Sequence, residues 1–394
     1  MSEGLVRLRP PSPAPAPLPD NDDLLREILL RLPPWPSSHP RASLVCRLWR
    51  RLLAEPRFLR RFRAFHHREP PLLGFFINDF GLPYFTPTLD PPDRIPTARF
   101  ALPLSRDEHW SFLGCRHGLA LLLNRARLEI TVWDPVTGDQ RCAAVPPGFS
   151  NEDREIVRNA ALLCDDGHAG CHRPRPFKVV LLRTDDVLLD ADPQVFASLY
   201  ESKTGVWGDL ISASIKAPLF LGKPGILVGN SLCWLLVGYG NSGILKFDMD
   251  KQSLGVIDTS MGTHSLQLQI LRMEDSELGL AILSDVSVQL WEREANSDGV
   301  ARWMLQKTIQ LDRLLSLRLR MERSQPVIQG YDEDGHVMFI STAIGVFMIQ
   351  LKSMQSRNLF ESNIITTYHP YTSFYTTGRG IGSGDVGAQT LNNT

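Results

Sequence analysis

From Pro71 onward the sequence is cut into short apolar or alternating runs separated by Gly, Asp, Asn and Pro, and this constrains the fold more than any other feature. The runs include "GLALLLN", "FKVVLLRT", "GILVGNSLCWLLVGYGNSGILKFDMDKQSLGVID" and "VIQGYDEDGHVMFISTAIGVFMIQLKSMQSRNL". Runs of this length with turn residues between them read as antiparallel strands in hairpins. A weak repeat lies within them. An apolar or aromatic strand end, a polar turn and a new strand recur in "VWDPVTGDQ", "LYESKTGVW", "KFDMDKQSL" and "LWEREANSDGVARW". The intervals, roughly 45 to 65 residues, suit propeller blades with loop insertions.

Five such units are visible, and Leu72–Leu104 together with the C-terminal strands predicts a sixth, because a ring must pair its first and last strands to hide its edges. The expectation for residues 72–375 is a large antiparallel all-β domain, a β-propeller of about six blades that meet near the four repeated motifs. A β-sandwich is the alternative, although the segment is long for one. Residues 376–394 read as a flexible tail.

A different periodicity precedes the strands. Residues 1–17, rich in proline and alanine, read as an extended leader without a core. In "DDLLREILLRLPP", Leu24, Leu25, Ile28, Leu29 and Leu32 fall on one helical face, and Pro33 and Pro34 end the helix. From Pro40 a second helix repeats the stripe with Leu44, Val45, Leu48, Trp49 and Leu52, and Pro56 opens a third with Phe58, Leu59, Phe62 and Phe65. The fold class expected is thus α+β in two domains, a small three-helix unit followed by the β domain. A unit of about 45 residues is near the lower limit for an independent core, so it needs support from the rest of the chain or from a partner.

The formal net charge of −1 gives the molecule no global bias toward nucleic acid or anionic membranes. Six cysteines without framework spacing, behind an N-terminus lacking a signal-peptide core, read as reduced thiols of an intracellular protein, cytoplasmic or nuclear. The longest apolar runs fall far short of the roughly 20 residues that cross a bilayer.

Other signals resolve to ordinary readings. The basic stretch "CRLWRRLLAEPRFLRRFR" invites a helix-turn-helix reading, but the first two predicted helices are joined by a proline-studded linker, and asparagine or glutamine base readers are missing from it. "CDDGHAGCH", Cys164 to His172, carries zinc-ligand chemistry, yet its cysteines are too far apart and its glycines mark a loop, so no metal is expected. "GSGDVG" at 382–387 has no room for the helix a dinucleotide fingerprint needs. Nucleophile-elbow, Walker and HExxH motifs are absent, and His109 and His117 read as loop residues, so neither catalytic residues nor a cofactor are expected.

Residues 18–66 resemble an F-box, the adaptor-docking module of SCF-type (Skp-cullin-F-box) ubiquitin ligase receptors. The matching segments are Leu18-Pro19, "DLLREILLRLP", "ASLVCRLWRRLL" and "EPRFLRRF". The remainder resembles the F-box-associated region of plant F-box proteins. An extra residue pair after Pro19, a long first connection and Leu48 in place of a frequent basic residue depart from the pattern without removing an apolar position. The resemblance implies a non-catalytic substrate-recognition subunit whose partners are a Skp-family adaptor, through it a cullin, and a target protein held by the β domain. It assigns adaptor contact to Leu18, Pro19, Leu24, Leu25, Ile28, Leu29, Pro33, Leu44, Val45, Cys46 and Trp49. The alternatives are a scaffold outside any ligase, a helix-turn-helix protein, or a propeller enzyme with polar residues converging on its axis.

Overall fold

The computed structural model describes residues 22–66, 70–79, 82–102, 108–151, 154–155, 157–164, 176–184, 193–220, 223–238, 242–259, 267–274, 277–284, 286–295, 301–315, 325–361 and 366–375. The leader, Leu18, Pro19, most of the Cys164–His172 loop and the GSGDVG segment lie outside the described residues.

The N-terminal unit holds four helices rather than three: α1 (Asp22–Leu30), α2 (Ser38–Ser43), α3 (Arg47–Ala54) and α4 (Pro56–His66). The stripe that reads as one second helix is broken at Leu44–Cys46. Cys46 is extended (φ −161°, ψ 173°) and its Sγ accepts the Trp49 N–H, so it caps a new helix. Leu25, Leu29, Leu30, Ala42, Leu52, Leu53, Phe58 and Phe62 form the core of the unit. Phe374, from the far end of the chain, packs on this core, and Ser37 N–H donates to Asp93 Oδ1 at 2.9 Å. The support that so small a unit requires therefore comes partly from the β domain.

Among the described residues six sheets of three to five strands follow one another around a ring, and a short pair, Ser150–Asn151 with Arg154–Glu155, lies between the second and third in sequence. The first blade is Leu72–Asp79 and Leu82–Pro87 joined by the C-terminal strand Tyr368–Thr372, with Phe75 opposite Pro370 and Ile77 opposite Tyr368. This is the closure expected from the edge argument. The second blade is Trp110–Arg116, Leu119–Asn124, Glu129–Trp133 and Gln140–Ala144. The third comprises Val157–Cys164, Phe177–Thr184 and Gln194–Glu201, the last flanked by both Val206–Trp207 and Ile211–Ser214. The fourth runs through Ile226–Val228, Ser231–Val237, Ser242–Asp248 and Ser253–Asp258. Leu268–Arg272, Leu278–Ser284, Ser287–Ala295 and Ala301–Gln310 make the fifth. Val327–Asp332, Val337–Thr342, Gly345–Gln350 and Ser356–Phe360 make the sixth.

Side-chain clusters fill the spaces between neighbouring blades, so most of the core is a ring of sheet interfaces. Second strands such as Leu119–Asn124 and Val337–Thr342 are buried at every residue, which explains their unbroken apolar runs. Outer strands such as Gln140–Ala144 alternate exposed and half-buried residues.

The repeated motifs have a different place from the one expected. They mark the hairpin between third and fourth strands inside a blade, not the junction between blades. The reason is turn chemistry: Asp134 Oδ1 accepts the Val136 and Thr137 N–H groups, and Asp248 Oδ1 accepts those of Asp250 and Lys251. Such Asx turns close adjacent antiparallel strands, whereas connections between blades have no common geometry to preserve.

Candidate functional site

The first site is the helical surface. The α1 stripe divides in two: Leu25 and Leu29 point into the core, while Leu24 and Ile28 are 49% and 46% exposed. Leu44 and Val45, at the break between α2 and α3, are 75% and 55% exposed. Pro33 and Cys46 are exposed, and Trp49 is half-buried against the core with its indole N–H lacking a hydrogen-bond partner among the described residues. Of the eleven residues assigned to adaptor contact, Leu25 and Leu29 are thus positioned as core, because an i,i+4 pair one residue further round the helix meets α4 instead of solvent. Leu18 and Pro19 are outside the described residues.

Buried beside this surface, His39 lies against Phe62 with ring centroids 4.2 Å apart. Burial first, then the charges of Arg63 and His66, pull its pKa down to about 4. It is a neutral packing residue at physiological pH.

The second site is a polar cluster where the innermost strands approach one another. Arg116, at the end of the second blade's inner strand, donates from Nε to Glu333 Oε1 (2.5 Å) and from Nη2 to Glu333 Oε2 (3.1 Å). Its Nη1 reaches Leu162 O and its Nη2 Gly225 O, each at 2.8 Å. Glu333 Oε2 also accepts the Leu227 N–H at 2.8 Å. Arg272 donates to Glu333 O (2.5 Å) and pairs with Asp334 (3.3 Å), whose other oxygen accepts from Thr372. One guanidinium and its neighbours therefore join all six blades.

Burial alone would raise the Glu333 pKa, but the Arg116 charge and hydrogen bonds outweigh it and hold the carboxyl below its usual range. Asp332, buried first of all and then beside Asp334, is pushed upward instead. Lys223 is fully buried, donates to Leu268 O, and is pulled down to about 7 by desolvation. The main donors and acceptors of this cluster spend themselves on one another and on backbone groups, which is the chemistry of a clasp. Sequence reading did not find Arg116, Glu333 or Lys223. The available signal was charge at strand ends, in "FLGCR" and "YDEDGH", but partners 217 residues apart become neighbours only when the ring closes.

His117 (φ 54°) and Gly118 (φ 77°) form the left-handed turn of the second blade's first hairpin, where Tyr371 OH donates to Gly118 O at 3.0 Å. Among the described residues no group of His, Cys, Asp and Glu is arranged to hold a metal, and no helix is long and apolar enough to cross a membrane.

A helical unit whose core is complete without its exposed apolar residues, set on a closed six-bladed ring, defines an F-box protein carrying a β-propeller. Comparison with known families agrees: residues 21–61 match the F-box domain, and residues 111–375 match the beta-propeller of the F-box protein AT5G49610-like family. The chain belongs to that family. It is 26% identical over 231 residues to an F-box/kelch-repeat protein of Arabidopsis thaliana, At3g61590, a match covering 56% of this chain and only 52% of the relative. Among solved structures, one chain of a nidogen/laminin complex is similar at TM-score 0.42 and 11% identity, covering 75% of this chain and 95% of that one. The WD40 domain of SCAP from fission yeast gives TM-score 0.33 and 12% identity over 66% and 55%. The blade count rests on the strand pairing and not on these two likenesses.

Proposed function

We propose that this protein is the target-binding subunit of a Skp-cullin-F-box ubiquitin ligase, docking a Skp-family adaptor through its helices and a target protein through its propeller. The observation that carries the reading is the exposure of Leu24, Ile28, Leu44 and Val45 on helices whose core is already complete without them. Exposed apolar side chains concentrated on so small a unit fit a partner that covers them. The subunit itself performs no chemistry. Holding a target beside a charged conjugating enzyme raises its effective concentration, and catalysis belongs to other subunits. The reading sets the protein in the cytoplasm or nucleus, in keeping with the five free thiols among the described residues.

The test is adaptor capture by the full chain carrying Leu24→Asp and Ile28→Asp, with circular dichroism of the same protein. Both positions face solvent, so the fold is retained while an unpaired carboxylate enters an apolar interface and capture is lost. Capture undiminished in a folded double variant would refute the interface. Leu25→Asp is the contrasting control: it unfolds the helical unit and loses binding for that reason.

A further inference from the structure

Lys223 differs from the other charged members of the polar cluster inside the ring. Arg116 is paired with Glu333, and Arg272 with Asp334. Lys223 is only 5% exposed and its ammonium donates to Leu268 O, yet among the described residues its other two N–H groups have no acceptor and no carboxylate pairs with it. Burial is the sole cause of its lowered pKa, so no neighbouring charge offsets the loss of water. A buried cation without a counter-charge is destabilising, and an apolar side chain of similar length would fill the same place without that cost.

The position is nevertheless tightly built. Three consecutive residues leading into the fourth blade are pinned by other blades. Asn159, itself buried, donates from Nδ2 to Lys223 O at 2.9 Å. Pro224 lies over Gly114, where an added Cβ would stand 3.4 Å from the proline Cβ, and Arg116 donates to Gly225 O at 2.8 Å. The second, third and fifth blades thus all touch this segment, the fifth through Leu268. A backbone held in this way fixes the site of the ammonium in advance of any ligand.

We infer that the Lys223 ammonium binds a small inorganic oxyanion, of the sulfate or phosphate kind, where the third, fourth and fifth blades meet. The inference stands apart from the adaptor reading and concerns the propeller alone. An oxyanion supplies the missing charge and several acceptor oxygens, and hydrogen bonds from a charged N–H to such oxygens are among the stronger ones in proteins. A carboxylate carried on another polypeptide is disfavoured, because Lys223 is covered by strands of its own ring. The bound anion keeps the amine protonated and links the three blades a second time, beside the Arg116–Glu333 clasp.

The test is equilibrium dialysis of the full chain against radiolabelled sulfate at pH 7.5 and 8.5, with chloride holding the ionic strength constant and dialysis continued to constant counts. The parent should bind one sulfate more than Lys223→Met, and that extra site should weaken about eightfold between the two pH values, because an amine with a pKa of about 7 loses its charge across them. Sulfate does not titrate in this window, but Asp332, pushed up to about 7, does. Lys223→Arg separates the two groups: its charge is permanent, so it should bind sulfate equally at both pH values. Without sulfate, Lys223→Met should melt no lower than the parent, and sulfate should raise its melting temperature less. Equal sulfate on parent and Lys223→Met would assign the ion to exposed arginines and overturn the inference. An eightfold fall retained in Lys223→Arg would assign the pH dependence to Asp332 and overturn it too, as would displacement of sulfate by an equal concentration of chloride. Should Lys223→Met fail to fold by circular dichroism, the parent decides, since sulfate bound equally at pH 7.5 and 8.5 refutes the site.

Discussion

Arg116→Met gives the most direct test of how the ring is held. The side chain is 6% exposed and its partner Glu333 10%, so solvent cannot replace what the guanidinium supplies. Removing it leaves the Glu333 carboxylate with the Leu227 N–H as its remaining near donor, and leaves the carbonyls of Leu162 and Gly225 without this one. Breaking a buried pair by removing one partner costs about 3–5 kcal/mol, and the loss of a charged donor from two further carbonyls places this case toward the upper end. Arg116→Lys keeps the charge but cannot serve Glu333 and two carbonyls from a single ammonium, so a loss of about 2 kcal/mol is expected. Replacing both members, Arg116→Met with Glu333→Met, removes the buried charge yet still takes side-chain partners from Leu162 O, Gly225 O and the Leu227 N–H. It should recover only part of the loss. Urea unfolding followed by tryptophan fluorescence measures these differences as midpoint shifts at constant slope. An Arg116→Met protein within about 1 kcal/mol of the parent would refute the clasp, because the cost argued here depends on four blades losing a shared partner.

Two further outcomes follow from local geometry. His39 takes its proton near 6.5 when unfolded and near 4 when folded, so the unfolded chain binds more protons in between; its contribution is intact above pH 6.5 and falls away toward pH 4 by up to about 3 kcal/mol. In thermal melts across that window the parent should lose stability relative to His39→Leu as pH falls, and parallel curves would contradict the assignment. At Gly330 an added Cβ would stand 2.4 Å from the Tyr368 carbonyl oxygen, so Gly330→Ala should push the closing strand from the sixth blade and cost about 3 kcal/mol or more. Hydrogen exchange at Tyr368–Thr372 should then rise selectively, and unchanged protection there would show that the backbone yields without opening the ring.

Much of this architecture is legible in one dimension because it arises from local rules. Apolar runs cut by turn residues specify antiparallel hairpins, and the Asx chemistry of "DPVTGD" and "DMDK" specifies where third and fourth strands join. The same motifs mislead about blade junctions, since a tight turn reports only the strands it connects. The helical stripes are equally visible, but a stripe 100° wide does not say which of its edges is covered. Leu25 and Leu29 became core because α4 presents Phe58 and Phe62 to them, while Leu24 and Ile28, one position away, kept their exposure.

The sequence by itself determined the two-part organisation, the strand-rich character of everything after Pro71, the need for a closing strand, and the four segments that match an F-box, because each depends on periodicity or on neighbours within a few residues. Tertiary structure alone decided the division of the apolar stripe, the contribution of Phe374 to a helical core more than 300 residues away, and the Arg116–Glu333 clasp. Each of these joins groups that are remote along the chain. Their contact energy exists only after ring closure has brought the ends together, and no local propensity encodes it.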